Sequence, residues 1–86
     1  MLCSRSVKLR GGFRAEIRYA RKEHKCFYCR KPIRAKQQYV VLSKYGSAPE
    51  CYHLECFNRV APHRVVFMVL NGEPVLCRSP EDYSVL

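Results

Sequence analysis

Apolar and polar positions alternate over several stretches of this chain, and a period of two predicts strands. Residues 13–20 show it most fully, with Phe13, Ala15, Ile17 and Tyr19 on one side and Arg14, Glu16 and Arg18 on the other. Residues 6–10 alternate too, and Gly11-Gly12 between the stretches is a turn signal. This reads as a hairpin with one apolar and one basic face. A helix is the runner-up over 13–20, because Ala, Glu and Arg favour one and only Ile17 is β-branched.

Further along, Gln38-Tyr39-Val40-Val41-Leu42 predicts a strand, Ser43 to Pro49 a loop, and Glu50 to Tyr52 a short return strand. A short helix is expected from His53 to about Ala61, stopped by Pro62. Val65–Leu70 and Val75–Arg78 flank Asn71-Gly72, a strong hairpin signal. Pro74 is expected at a sheet edge or just outside the ladder. The polar residues from Ser79 read as a loose tail. Repeats and low-complexity tracts are absent.

With 86 residues, one domain is expected, organised as a basic N-terminal hairpin (1–25), a core rich in cysteine and histidine (26–61), a C-terminal β-hairpin (62–80) and a tail (81–86). A multidomain enzyme with a deep cleft does not fit that length. An apolar share of 48% argues against disorder throughout. The longest apolar run, Val65–Leu70, is far short of the ~18 residues of a spanning helix. The first residues lack the apolar stretch of a secretion signal, so the expected location is intracellular: the nucleus in a eukaryote, the cytoplasm or nucleoid otherwise. A domain this small needs a staple beyond its core.

The six cysteines suggest which staple. Without a secretion signal, reduced thiols or a metal site are favoured over a disulfide framework. Cys26-Phe-Tyr-Cys29 is a C-x2-C pair and His53-Leu-Glu-Cys56 an H-x2-C pair. Each can bite one ion, and together they complete a tetrahedron of three thiolates and one imidazole. That set suits one structural Zn²⁺ per chain and leaves no open coordination position. Cys51 is the rival to His53, but residues i and i+2 on a strand lie ~7 Å apart, whereas His53 and Cys56 share a helical face. His24 is disfavoured on the same ground. Cys3 and Cys77 lack a partner at ligand spacing and read as core or surface thiols, with a bridge between them the open alternative.

A turn with two cysteines, a hairpin, then a helix whose first turn carries the last two ligands is a treble-clef-like arrangement. The fold class expected is therefore a small α+β domain stabilised by zinc, with antiparallel hairpins and a short helix. The stretch Ile17-Arg18-Tyr19-Ala20-Arg21-Lys22, then Cys26-x2-Cys29, Pro32-Ile33, a strand and Tyr52-His53-x2-Cys56-Phe57 resembles the poly(ADP-ribose) polymerase (PARP)-type zinc finger over about residues 13–60. The half finger of a LIM domain is the runner-up, but its second cysteine pair would begin at position 59, where this chain has Arg59. The PARP-type resemblance implies a DNA-binding module that grips backbone and stacks on exposed bases, with Cys26, Cys29, His53 and Cys56 as zinc ligands and Arg18, Arg21 and Lys22 as its basic approach. Here the loop before His53 is shorter than in that family, and Tyr45 is its only aromatic.

The charge points the same way. The formal charge is +9, and residues 1–36 hold twelve Lys and Arg against two acids. One-sided charge on this scale suits nucleic acid, DNA ahead of RNA. Candidate contacts are Arg14, Arg18, Arg21, Lys22, Lys25, Arg30, Lys31, Arg34 and Tyr45, with Phe27 and Tyr28 as further stacking surfaces. Two alternatives belong to other classes. One is a protein-interaction adaptor docking on an acidic partner. The other is a small treble-clef nuclease, whose candidate set is His63 with Glu50 or Glu55. The spacing of that set does not support catalysis, so a non-enzymatic module is expected.

Overall fold

The computed structural model describes residues 2–60 and 65–78. Its elements in chain order are β1 (Leu2–Ser4), β2 (Ser6–Lys8), a 3-10 turn (Arg10–Gly12), β3 (Phe13–Tyr19), β4 (His24–Lys25), β5 (Pro32–Ile33), β6 (Gln38–Lys44), β7 (Glu50–Tyr52), α1 (Leu54–Val60), β8 (Val65–Leu70) and β9 (Glu73–Arg78). The strands pair antiparallel in a four-stranded sheet β2-β3-β6-β7, a three-stranded sheet β1-β9-β8 and a small ladder β4-β5. The alternating stretch 13–19 is a strand, not a helix.

Register builds the core. Ala15 lies opposite Leu42, and Ile17 opposite Val40, which in turn faces Tyr52. These side chains share one face by alternation. With Phe57 of α1 and Val65 and Leu76 of the three-stranded sheet they form one buried cluster. Phe57 meets Tyr52 edge-on at 6.0 Å. Tyr39 and Val41, on the opposite face of β6, are buried as well, and His24 stacks on Tyr39 with ring centroids 5.0 Å apart. That two-sided cover explains why β6 reads as a continuous apolar run.

Arg5 stands at the bend where the chain leaves one sheet for the other. Its carbonyl accepts the Ile17 N–H at 2.8 Å. Its guanidinium donates to Gln38 Oε1 at 2.9 Å and to the Pro74 carbonyl at 3.3 Å, and Glu73 lies 3.8 Å away. Arg78 closes a second tie between the sheets by donating to the Lys8 carbonyl.

Two features correct the sequence reading. First, β9 begins at Glu73, so Pro74 sits inside the ladder opposite Val69, and it is buried. The two-residue turn Asn71-Gly72 puts both turn residues at positive φ, 53° and 78°, and makes Leu70 and Glu73 the closing bonded pair. Pro74 then falls on the non-bonded alternate, and β1 ends at Ser4 opposite Leu76, so its missing N–H costs neither neighbour a bond. Second, Cys3 and Cys77 are joined by a disulfide. They are directly opposite across β1 and β9, with Cα atoms 4.0 Å apart. The expected helix end at Ala61-Pro62 and the tail from Ser79 lie outside the described residues.

Candidate metal centre

The C-x2-C pair folds as a knuckle between β4 and β5. The Cys26 N–H donates to the Lys31 carbonyl and the Arg30 N–H to the Cys26 carbonyl, each at 3.0 Å. Arg30 takes a left-handed φ of 68° to close this turn, a conformation that costs a non-glycine residue about 1 kcal/mol. Its guanidinium lies 5.2 Å from the Phe27 ring centroid. The knuckle docks on the main sheet through the Phe27 N–H, which donates to the Cys51 carbonyl at 2.7 Å, and through an edge-on contact of Phe27 with Tyr52.

The second pair comes from the junction of β7 and α1. His53 precedes the helix and its carbonyl accepts the Phe57 N–H at 2.9 Å, so it occupies the N-cap position and Cys56 lies one turn on. The ligand atoms of Cys26, Cys29, His53 and Cys56 all fall within 4.8 Å of one another. His53 Nδ1 lies 3.3 Å from Cys29 Sγ and 3.8 Å from Cys56 Sγ. Its Nε2 lies 3.0 Å from the Pro32 carbonyl. With Nε2 as the donor, Nδ1 carries a lone pair toward the sulfurs, which is how a ligating histidine is oriented. These four residues could hold one metal ion, and three thiolates with one imidazole suit zinc.

The electrostatics fit a cation. Burial works against the Cys26 thiolate, but the backbone N–H groups of Cys29, His53 and Tyr28 outweigh it and bring the thiol down to about 6. Burial, hydrogen bonding to Cys29 and Cys26, and their charge push Cys56 up to about 12. The protein alone therefore favours the thiolate at Cys26 and opposes it at Cys56, and a divalent ion would let Cys56 ionise as well. Cys51 is outside the cluster. On β7 it lies opposite Val41 of β6, and burial followed by the charge of Cys26 pushes its thiol up.

The nine candidate nucleic-acid contacts separate by place. Arg18, Arg21 and Lys22 line an open basin of about 1150 Å³, together with Arg5, Tyr19 and Lys36. Lys25 and Arg30 lie at a smaller depression beside the knuckle, with Glu23. Lys31 adjoins that turn, and the Arg34 N–H is held by Gln37 Oε1 at 3.0 Å. Arg14 pairs with Lys8 and Ser43 toward the far end of the sheet. Tyr45 follows β6 there, 99% exposed. Arg18 and Tyr45 are thus at opposite ends of β6, roughly 20 Å apart along the strand. Arg5, Tyr19 and Lys36 escaped the sequence reading. A basic stretch could be seen, but only the β3–β6 register brings Tyr19 opposite Gln38, beside Lys36. Of the nuclease set, His63 lies outside the described residues, and Glu50 Oε1 accepts the Tyr52 hydroxyl at 2.8 Å. No helix among the described residues is long and apolar enough to cross a membrane.

No family model matches the chain, and neither the curated proteins nor the solved structures contain a match.

Proposed function

We propose that this protein is a zinc-dependent nucleic-acid-binding module, DNA being its leading target, in which a metal-clamped finger presents a basic surface to phosphates. Zn²⁺ at Cys26, Cys29, His53 and Cys56 would be structural, since the protein fills all four positions. The chain order of knuckle β4-β5, hairpin β6-β7 and α1 supports a treble-clef-like finger, and the motif resemblance to PARP-type fingers points the same way. The observation that carries the function is the gathering of Arg18, Arg21 and Lys22 with Arg5 and Lys36 around one basin. Arg18 is ion-paired to Glu16 at 2.5 Å and Arg5 is engaged with Glu73. Arg21, Lys22 and Lys36 are exposed and make no ion pair among the described residues, so their charge is available to a polyanion. The basin could take several phosphates in one stretch.

Binding of duplex, nicked, single-stranded and RNA probes over a salt series tests this reading. Affinity should fall log-linearly with salt, with a slope near −0.9 per phosphate neutralised on duplex and near −0.7 on single strands. Absence of binding to every probe at low salt overturns it.

A further inference from the structure

Tyr19 is the residue of the basin that phosphate binding does not explain. It ends β3 with 62% of its surface exposed, although Ala15 and Ile17 before it on the same face are buried. The Arg5 guanidinium lies 5.9 Å from its ring centroid, and Arg5 is itself fixed by Gln38 and the Pro74 carbonyl. The ring thus has a cation near it, is largely exposed, and lines the basin. Around it stand Arg21, Lys22 and Lys36, with Glu73 as the only acid of the lining among the described residues.

The basin, about 1150 Å³ and open to solvent, has room for a short stretch of polynucleotide. A base inside a duplex keeps its faces stacked on its neighbours and cannot lie on Tyr19, whereas a base in a single strand can. Aromatic platforms beside a cationic groove are the general means of holding single strands without sequence preference.

We propose that the basin is a single-strand site: one unpaired base stacks on Tyr19 while flanking phosphates engage Arg21, Lys22 and Lys36. This deepens the nucleic-acid reading and rests on it. The ligand class is single-stranded polynucleotide with little base preference, because stacking uses the face that every base has.

The test measures anisotropy of labelled oligothymidylate, oligouridylate and a blunt duplex of equal length, on the zinc-loaded protein at low salt. The single strands should bind more tightly than the duplex. Tyr19→Ala should lose about tenfold or more on the single strands and little on the duplex, and Tyr19→Phe should retain wild-type affinity. The exposed position of Tyr19 leaves the fold of both variants intact, which circular dichroism verifies. Tighter duplex binding, an equal loss on all probes, or unchanged affinity in Tyr19→Ala overturns the single-strand site and leaves the nucleic-acid function standing. Failure of every probe to bind wild type overturns both.

Discussion

The side-chain amide of Asn58 clasps the backbone of Phe67: its Oδ1 accepts the Phe67 N–H at 2.7 Å and its Nδ2 donates to the Phe67 carbonyl at 3.2 Å. β8 is an edge strand of the three-stranded sheet, and Met68, Val69 and Leu70 on it are exposed. An open apolar edge is a template for pairing with another chain. Asn58, on the exposed side of α1, takes the two backbone groups that a neighbouring strand would use. Asn58→Ala should therefore lower stability by about 1–3 kcal/mol and produce concentration-dependent self-association, measured by sedimentation velocity against wild type.

The metal centre predicts a contrast between two cysteines five residues apart. Cys56→Ala removes a member of the cluster and should abolish stoichiometric zinc and cooperative unfolding, since structural zinc supplies folding free energy outright. Cys51→Ala should keep the zinc content unchanged. Metal content by plasma emission and thermal melts before and after chelation check both. Retention of zinc by Cys56→Ala, or its loss in Cys51→Ala, would contradict the ligand set.

The disulfide closes a loop across a sequence separation of 74. Chain entropy gives about 4 kcal/mol for a loop of that length. Cys3→Ala should lower the free energy of unfolding by up to that amount, read by denaturant titration, while leaving zinc stoichiometry intact. A Cys3→Ala protein as stable as wild type would show that the β1–β9 ladder holds without the bond.

Arg30 offers a test of function against stability. Glycine would relieve the left-handed backbone and gain about 1 kcal/mol, minus the contact with Phe27. Removing a cation beside the knuckle should also lower the salt slope of duplex binding by about one. A variant that is more stable and binds less steeply would show that arginine is kept there for its charge.

Local spacing made the cluster legible. Cys26 with Cys29, and His53 with Cys56, are each three residues apart, so the sequence alone brings each pair together, and the knuckle and α1 only set one pair against the other. Strand β3 was legible from its alternation and the Asn71-Gly72 turn from its chemistry. The basin was not, because Arg5, Tyr19 and Lys36 meet through a bend between two sheets and a register that no short window contains. The Cys3–Cys77 bond stood only as an alternative for the same reason: the β1–β9 register that sets the two residues opposite each other spans nearly the whole chain. Pro74 misled because a proline's cost in a strand depends on bonding parity, which follows from the loop length two residues before it.

The bond between Cys3 and Cys77 has a consequence for how the molecule comes apart. Between those residues the chain is a covalent ring, so neither end of that segment can fray from β1 or β9. Opening then starts inside the ring rather than at its ends. The knuckle carries half of the metal cluster, and Ala20 links the residues before it to the 34–37 turn through bonds with Gln37 and Lys36. An ion held by that cluster would accordingly brace the basin as well, so binding at the proposed nucleic-acid surface should weaken on chelation.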